Sequence, residues 1–542
     1  MSQTVAAADP GREFGLPTAR ADRRTGLQAL GALSLVASSA LLLGLAFPPT
    51  AWRPLAWIAL APFFVALRSQ RLGVALLLTW VWTHLLCYVV WDWGPAAVTS
   101  YFKQSGTVAV GLFFGLGSVM LAPYFMGFAA AYRALARRFS RSLPLWAAAA
   151  WTAAELARSR LFTETSFFSG NPWVLVGYSQ AGFDAIVQIA SVTGVYGISF
   201  AVVAVNAALA ELVLAVLGRS LGRSVAWSLG LALLPALAAL AFGFASLVGA
   251  DRESTASGTQ IAVVQGNVGL ESRWRSDFYG RNLDTYLALT QQALERGKPE
   301  TVFWPEAAMT FFVGREPAYR SAIAGTLARG DAELLAGAPH YEGDDYFNSA
   351  FLLAPRGALL ARYDKQHLVP FAEFFPFGKV DIVRRSFGRI REFSRGDSSP
   401  PLPTRAGPAG IVTCNEAWFP EISGRRVDEG AGYLVNLSND SWFQPNFSAQ
   451  SFDMVRMRAV EQRRYLVRAS TSGPSAIVDP WGRVLARSEP LEEAVLFGSI
   501  RARREPSLYG CSGDLFAVAC VLAVAAGLLL VGRRDALRSG SR

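Results

Sequence analysis

The chain has 542 residues, 52% of them apolar and only 17% charged, with a mean hydropathy of +0.28. That length allows two to four units, and the composition excludes a wholly water-soluble protein, so part of the chain belongs in lipid. The formal charge of +10 is unevenly placed: residues 1–250 carry 16 Lys/Arg against 8 Asp/Glu, while residues 251–532 carry 31 against 32, a balance that disfavours nucleic acid as a partner.

In chain order, uncharged stretches of about 20 residues, the length that crosses a bilayer, occur near 27–47, 72–91, 106–132, 185–210, 225–249 and 515–532. Shorter stretches at 54–67 and 143–157 bring the expectation to about eight spans. The first begins at Thr25 and runs past Thr50, too long for the core of a cleavable signal. The arginines test this count. With eight spans, the N-terminal tail, Arg68, Arg71, Arg133, Arg137, Arg138, Arg141, Arg219, Arg223 and the C-terminal tail fall on one side, and Arg53, Lys103, Arg158 and Arg160 on the other. That bias predicts cytoplasmic termini and an outward-facing region 251–512. The expected division is a membrane domain of about seven helices over 1–250, a domain over 251–512, and a last helix with a tail over 513–542. His84, Asp92, Glu155 and Glu211 are fewer intramembrane ionisable groups than a transporter usually carries, although Gly- and Pro-rich spans keep that class open. The aromatic stretch 158–184, which contains Trp173, reads equally as an interfacial belt or as a substrate-contacting loop.

From Thr259 the texture changes. QIAVVQGNV, TVFWPE, ELLAGAP, SAFLLAP, ALLARYDK, AGIVTCNE, YLVNLSND, LVRASTS and SAIVDP read as strands, with helices over 282–294, 318–329 and 448–465 between them. This alternation implies a layered α/β architecture. The Pro/Ser/Gly-rich stretch 394–410 reads as a surface loop.

Four cysteines, two of them (Cys87 and Cys520) in apolar runs, exclude a disulfide framework, and three histidines speak against a metal site. Cys511, at the last span's entrance, reads as a free thiol. Three residues stand at strand exits, where α/β enzymes place chemistry. Glu306 follows the strand-breaking Pro305 in FWPEAA. Lys365, in YDKQHLVPFAEFFPF, is one of four lysines against 47 arginines, as if a compact amine were needed there. Cys414, in GIVTCNEAWFP, precedes a candidate helix; a helix N-terminus and a nearby cation lower a thiol's pKa. Singly, each reads more simply as a solvated cap, a surface charge or a small buried hydrophobe; the three in order, with these flanks, favour a catalytic set.

Those three blocks resemble the catalytic blocks of the nitrilase, or carbon–nitrogen hydrolase, superfamily. With the spans, and with NPWVLVGYSQ, NLSNDSWF and RAVEQRRYLVRASTSG, nearly the whole chain resembles the apolipoprotein N-acyltransferases, membrane members of that superfamily. Asn415 departs from their pattern, where an aromatic more often follows the cysteine.

The resemblance implies an αββα sandwich beside the helical membrane domain, and a Glu306–Lys365–Cys414 triad. Cys414 would take an acyl chain as a thioester from a phosphatidylethanolamine-like phospholipid and pass it to the α-amine of a diacylated apolipoprotein, with Glu306 as general base and Lys365 beside the oxyanion. Glu373 and Glu416 match supporting acidic positions, and Trp173 a position that contacts lipid or substrate. Phe374, Phe375 and Phe377 read either as an apolar arm over the site or as core, and His367 as structural. The resemblance implies no cofactor, a monomer, and a bacterial inner-membrane location with the catalytic domain periplasmic. A membrane-bound amidase in which water replaces the amine, and a receptor with a ligand-binding outward domain, remain open at this stage.

Overall fold

The computed structural model describes residues 19–68, 70–100, 104–161, 170–253, 258–269, 278–370, 372–375, 392–398, 400–442 and 445–539. Among them, five helices are long and apolar enough to cross a membrane: Gln28–Leu45, Leu72–Val90, Val195–Leu217, Arg223–Asp251 and Leu515–Arg533. Gly106–Met120 and Ala122–Ala136, bent by 41° at a short break, make a sixth if the pair counts as one span.

The two short stretches of the expected eight also form helices. Leu143–Arg160 is continuous over 18 residues, though Glu155, Arg158 and Arg160 reduce its hydropathy. Residues 53–68 are instead broken into Ala56–Ala59 and Ala61–Arg68. At the break, the amides of Leu60 and Ala61 donate to Asn206 Oδ1 at 2.7 and 3.0 Å, and Asn206 Nδ2 donates to the carbonyls of Ala56 and Val202 at 2.8 and 2.9 Å. One buried side-chain amide thus satisfies backbone groups where lipid offers no partner.

The span expected from residue 185 begins only at Val195. Asp184–Val187 and Ala190–Thr193 are short turns before it, and Gly194 sits at the corner with φ +64°. A Cβ there would lie 2.6 Å from the Tyr509 ring, so this corner needs glycine for both its dihedral and its space.

The bundle has two unlike ends. At one, Arg68 pairs with Glu211 at 3.1 Å, Arg133 donates to the Leu67 carbonyl at 2.8 Å, and Ser228 Oγ donates to the Arg141 carbonyl at 2.8 Å. At the other, Arg53 pairs with Asp453 at 3.0 Å, and Arg160 pairs with Glu421 and Asp514. This second end carries the α/β layers.

Those layers contain β1 (Thr259–Gln265), β2 (Thr301–Phe303), β3 (Glu333–Glu342), β4 (Asp345–Leu353), β5 (Leu359–Asp364), β6 (Leu402–Thr404), β7 (Gly407–Ile411), β8 (Tyr433–Ser438), β9 (Leu466–Ser470), β10 (Ala476–Val478), β11 (Val484–Arg487) and β12 (Ala494–Ile500). They form two six-stranded sheets, in the orders β12-β1-β2-β3-β4-β5 and β11-β10-β9-β8-β7-β6. The strand period of two assigns alternate residues to opposite layers. Val263, Phe303, Leu335 and Val435 enter the core between the sheets. Their neighbours Val264, Val302 and Leu334 pack under the helices Tyr279–Gly297 and Pro317–Leu327, and Leu434 under Pro420–Asp428 and Pro445–Gln462. The result is an αββα sandwich.

Three strands depart from the sequence reading. β6 lies inside the stretch 394–410 that composition reads as loop, and β11, only four residues long, and β12, mostly half-buried, are not read as strands from the sequence. β12 nonetheless pairs antiparallel with β1 over seven residues, Thr259↔Ile500 to Gln265↔Ala494.

Candidate active site

β1, β2 and β3 run parallel, as do β7, β8 and β9, so the carboxyl ends of the central strands of both sheets deliver side chains to one region. Glu306 follows β2, Lys365 directly follows β5, Cys414 follows β7, and Asn439 directly follows β8.

The two carboxylates near the lysine share one donor. Asn348, on β4, donates through Nδ2 to Glu306 Oε1 at 2.7 Å and to Glu373 Oε1 at 2.9 Å. Glu306 Oε2 accepts the Asn439 backbone N–H at 2.8 Å, and Glu373 Oε2 accepts the Val369 N–H at 2.8 Å. Lys365 Nζ lies 2.8 Å from Glu373 Oε2 and 3.9 Å from Glu306 Oε1, with all three side chains buried. Burial alone would lower the pKa of this ammonium; the carboxylates of Glu373 and Glu306 outweigh it and hold the group cationic, above its ordinary range. Burial likewise works against the Glu373 carboxylate, and Lys365 overcomes it, holding the carboxyl below its ordinary value.

The Glu306 loop is set by a close approach. A Cβ on Gly337 of β3 would sit 2.7 Å from the Pro305 carbonyl oxygen, Glu306 Cα and the Ala307 nitrogen, so only glycine lets β3 support this turn. Ala307 has φ +52° and Cys414 φ +50°; a non-glycine residue held there stores strain of order 1 kcal/mol, a feature that clusters at functional sites.

Cys414 opens a short 3-10 turn, Cys414–Trp418, rather than a long helix. Its half-buried Sγ lies 4.0 Å from Ser438 Oγ. The expectation of a depressed thiol pKa does not hold. Burial first, then the negative charge of Glu306, push the Cys414 thiol above its ordinary range, and Lys365 opposes them without cancelling them. The resting group is therefore a thiol.

Glu416 does not join the carboxylate cluster. It is fully buried and accepts Tyr363 Oη at 2.8 Å, the N–H groups of Gln366 and His367 at 2.9 and 3.0 Å, and the Thr413 N–H at 2.7 Å. It therefore ties the segment after Lys365 to the residue before Cys414. Arg426 closes this knot, donating to Tyr363 Oη at 2.7 Å and to the Ile411 carbonyl at 2.8 Å. Behind Cys414, Asn436 donates to the carbonyls of Val412 and Cys414 at 2.7 and 3.2 Å and accepts from Arg468, which also pairs with Asp440 at 2.6 Å.

Trp173 is buried, 4% exposed, at the junction with the bundle. It stacks on Phe447 at 5.1 Å, meets Trp93 and Trp418 edge-on at 5.4 and 4.8 Å, and donates to Gln450 Oε1 at 2.8 Å. Trp418 lies on the turn that Cys414 opens, so this aromatic cluster joins the bundle to that turn. Phe375 is buried, whereas half-buried Phe374 lies under the Arg395 guanidinium at 5.6 Å. Phe377 lies outside the described residues. His367 packs its ring 4.4 Å from Phe419, and burial, then Lys365, push its pKa down to about 4.

Sequence reading had brought out neither Asn348 nor the knot of Tyr363, Arg426, Asn436 and Arg468. Asn348 stands beside the apolar run SAFLL, Tyr363 opens YDKQH, and Asn436 and Arg468 fall within NLSNDSWF and RAVEQRRYLVRASTSG, but the partners of none can be read from its place in the chain.

Known proteins resemble both parts of the chain. The carbon-nitrogen hydrolase family model matches residues 260–506, and that of the apolipoprotein N-acyltransferase N-terminal domain matches residues 39–208. Among solved structures, an amidase of the nitrilase superfamily from Nesterenkonia is 20% identical with a TM-score of 0.38, covering 48% of this chain and 96% of that one. Two proteins named apolipoprotein N-acyltransferase are similar over much of their length. That of Bradyrhizobium diazoefficiens is 32% identical over 76% of this chain and 77% of its own, and that of Geobacter metallireducens 34% identical over 92% of this chain and 95% of its own. Two unlike halves, a helical bundle and an αββα sandwich, are therefore matched together in one relative, and the chain belongs to the apolipoprotein N-acyltransferase family.

Proposed function

We propose that this chain moves a fatty acyl group from a phosphatidylethanolamine-like phospholipid to the α-amine of a diacylglyceryl cysteine at the N-terminus of an apolipoprotein, through a thioester on Cys414. The observation that carries this reading is one carboxylate, one buried ammonium and one thiol at strand exits of the two sheets, with Glu306 3.9 Å from Lys365 and the charges of both felt at the Cys414 thiol, in a chain of this family.

Glu306 takes the thiol proton as general base while the sulfur attacks the lipid ester carbonyl. The tetrahedral oxyanion collapses, the ester carbon–oxygen bond breaks, the proton passes to the leaving alkoxide, and a lysophospholipid departs. In the second half the amine loses a proton to Glu306 and attacks the thioester carbon; the thiolate leaves and takes that proton back. Lys365 supplies positive charge to both oxyanions, worth about 3 kcal/mol if equal to one oxyanion-hole donor. Glu373 and Glu416 are positioning residues, the first holding Lys365 and the second the backbone on either side of the site. Trp173 acts through Trp418 on the nucleophile's turn, while half-buried Phe374 remains a candidate contact for an acyl chain.

The bundle gives this chemistry its place. A diacyl lipid leaves a bilayer reluctantly, at about 0.8 kcal/mol per buried methylene, so the nucleophile must come to the interface. With the arginine-rich end cytoplasmic, the α/β layers sit on the outer face of the inner membrane and both termini lie inside. Cys511, exposed at the α/β end, tests this: in a Cys414→Ala background, a membrane-impermeant maleimide should label it from outside in spheroplasts. Labelling only after lysis would reverse the topology.

For the reaction, intact mass after exposure to phospholipid should show one acyl group on Cys414, discharged by a diacylated lipopeptide as N-acyl peptide. Free fatty acid without N-acyl peptide would make the protein a hydrolase. Cys414→Ala should form no adduct, and turnover in that variant would end the reading.

A further inference from the structure

Buried polar atoms without partners lie beside the triad. Asn415, one residue past the nucleophile, is 3% exposed; its Nδ2 donates to the His367 carbonyl at 3.2 Å, and its Oδ1 has no partner. His367, two residues past Lys365, gives its backbone N–H to Glu416 at 3.0 Å, and its Nε2 is likewise buried without a partner. An amide oxygen is an acceptor, and a neutral imidazole with its proton on Nδ1 offers Nε2 as a second. Burial and the Lys365 charge keep this imidazole neutral.

The neighbouring charges are already engaged. Glu306, Glu373 and Glu416 each accept two or more N–H or O–H groups, and Lys365 is held by Glu373. None of these carboxylates can donate to Asn415 Oδ1, nor to His367 Nε2 in the tautomer that carries its proton on Nδ1, and leaving buried acceptors unmet is costly, so a ligand that brings N–H groups would satisfy both.

We propose that Asn415 Oδ1 and His367 Nε2 form a subsite for a primary amine of the substrate. This rests on the thioester reading above, which supplies two such amines: the ethanolamine headgroup of the donor lipid and the α-amine of the acceptor.

Asn415→Leu keeps the volume and removes the oxygen; His367→Phe keeps a ring against Phe419 and removes Nε2. With full-length protein in detergent micelles, three rates are timed by intact mass: acylation of Cys414 from phosphatidylethanolamine, acylation from phosphatidylglycerol, and discharge of preformed acyl-enzyme to a diacylated lipopeptide. If the subsite takes the headgroup, both variants lose about tenfold in acylation from phosphatidylethanolamine and nothing from phosphatidylglycerol. If it takes the acceptor, discharge slows about tenfold while both acylation rates hold. Should Asn415→Leu fail to fold, His367→Phe carries the same expectation. Folded variants that match the parent in all three rates, or slow all three equally, overturn the subsite. A parent chain that takes no acyl group would instead strike at the thioester.

Discussion

The membrane bundle and the α/β layers both bury polar side chains, but they connect them differently. In the bundle's interior several stand almost alone and serve backbone or a near neighbour. Asn206 repairs one broken helix, Glu155 accepts from Trp151 Nε1 and the Val176 N–H at 3.0 and 2.8 Å, and His84 bridges the Trp80 carbonyl and Ser118 at 2.8 and 3.0 Å. In the α/β layers the same kinds of group are joined: Asn348 links Glu306 to Glu373, Glu373 holds Lys365, and Tyr363 links Glu416 to Arg426. Isolated anchors fix a shape. Joined charges also bias protonation: Glu373 and Glu306 hold Lys365 cationic, and burial with Glu306 keeps the Cys414 sulfur a thiol.

The strongest way to break the contrast is Lys365→Met. It leaves the Glu306 and Glu373 carboxylates buried without their cation, which should cost about 3 to 5 kcal/mol of stability. Acylation of Cys414 should fall roughly 100- to 1000-fold, the loss expected for one transition-state charge. Stability by denaturant titration and acylation by mass are read on the same preparation. A variant near the parental rate would show that the lysine is a structural counter-ion and no more. Next comes Asn348→Leu, which removes one donor from each carboxylate. It should cost about 1 to 3 kcal/mol and slow acylation while leaving the lipopeptide concentration dependence of discharge in place. Because Asn348 touches both carboxylates and acts through them, a changed half-saturation with an unchanged rate would deny it a positioning role.

The three candidate residues were legible in the sequence because each sits at a strand exit with distinctive flanks: Pro305 before Glu306, a rare lysine after YD, a cysteine ending GIVT. What holds them was not legible. Asn348 is 17 positions before Lys365, and Arg426 meets Tyr363 across the sandwich, so their partners are fixed by sheet register and not by spacing along the chain. The same limit shows in the bundle. A run of apolar letters marks 54–67 as a span, yet the break at Leu60 is stable only because Asn206, on a distant helix, supplies both donor and acceptor. Glu416 matches a supporting acidic position by its motif, but what it supports was not legible: its oxygens are spent on Tyr363 and three backbone amides.

Asn206→Leu sharpens the comparison from the bundle's side. It strands the Leu60 and Ala61 amides and the Ala56 carbonyl, so the melting temperature should drop, with a cost of about 1 to 3 kcal/mol. Acylation per folded molecule should stay at the parental value. A selective loss of acylation in a fully folded variant would mean that bundle anchors also set the chemistry.

The smallest expected effect is the pH dependence of stability that His367 contributes. Its pKa falls from the ordinary 6.5 to about 4 in the fold. Between those values the unfolded chain binds a proton that the folded chain refuses. Stability from this group is therefore full above pH 6.5 and declines as pH falls toward 4, by at most about 1.4 kcal/mol per pH unit. Glu461 acts in the opposite sense over an overlapping window. Burial raises its carboxyl to about 7 despite Arg458 at 3.1 Å, so the folded chain holds a proton that the unfolded chain releases, and stability falls as pH rises from about 4.5 to 7. The two trends offset each other in the parent, and a flat profile there would be uninformative. The difference between parent and His367→Phe isolates the imidazole: the parent's advantage should shrink as pH falls from 6.5 to 4. A difference that grows instead would mean the imidazole is charged in the fold, and an imidazolium has no lone pair on Nε2 to offer an amine.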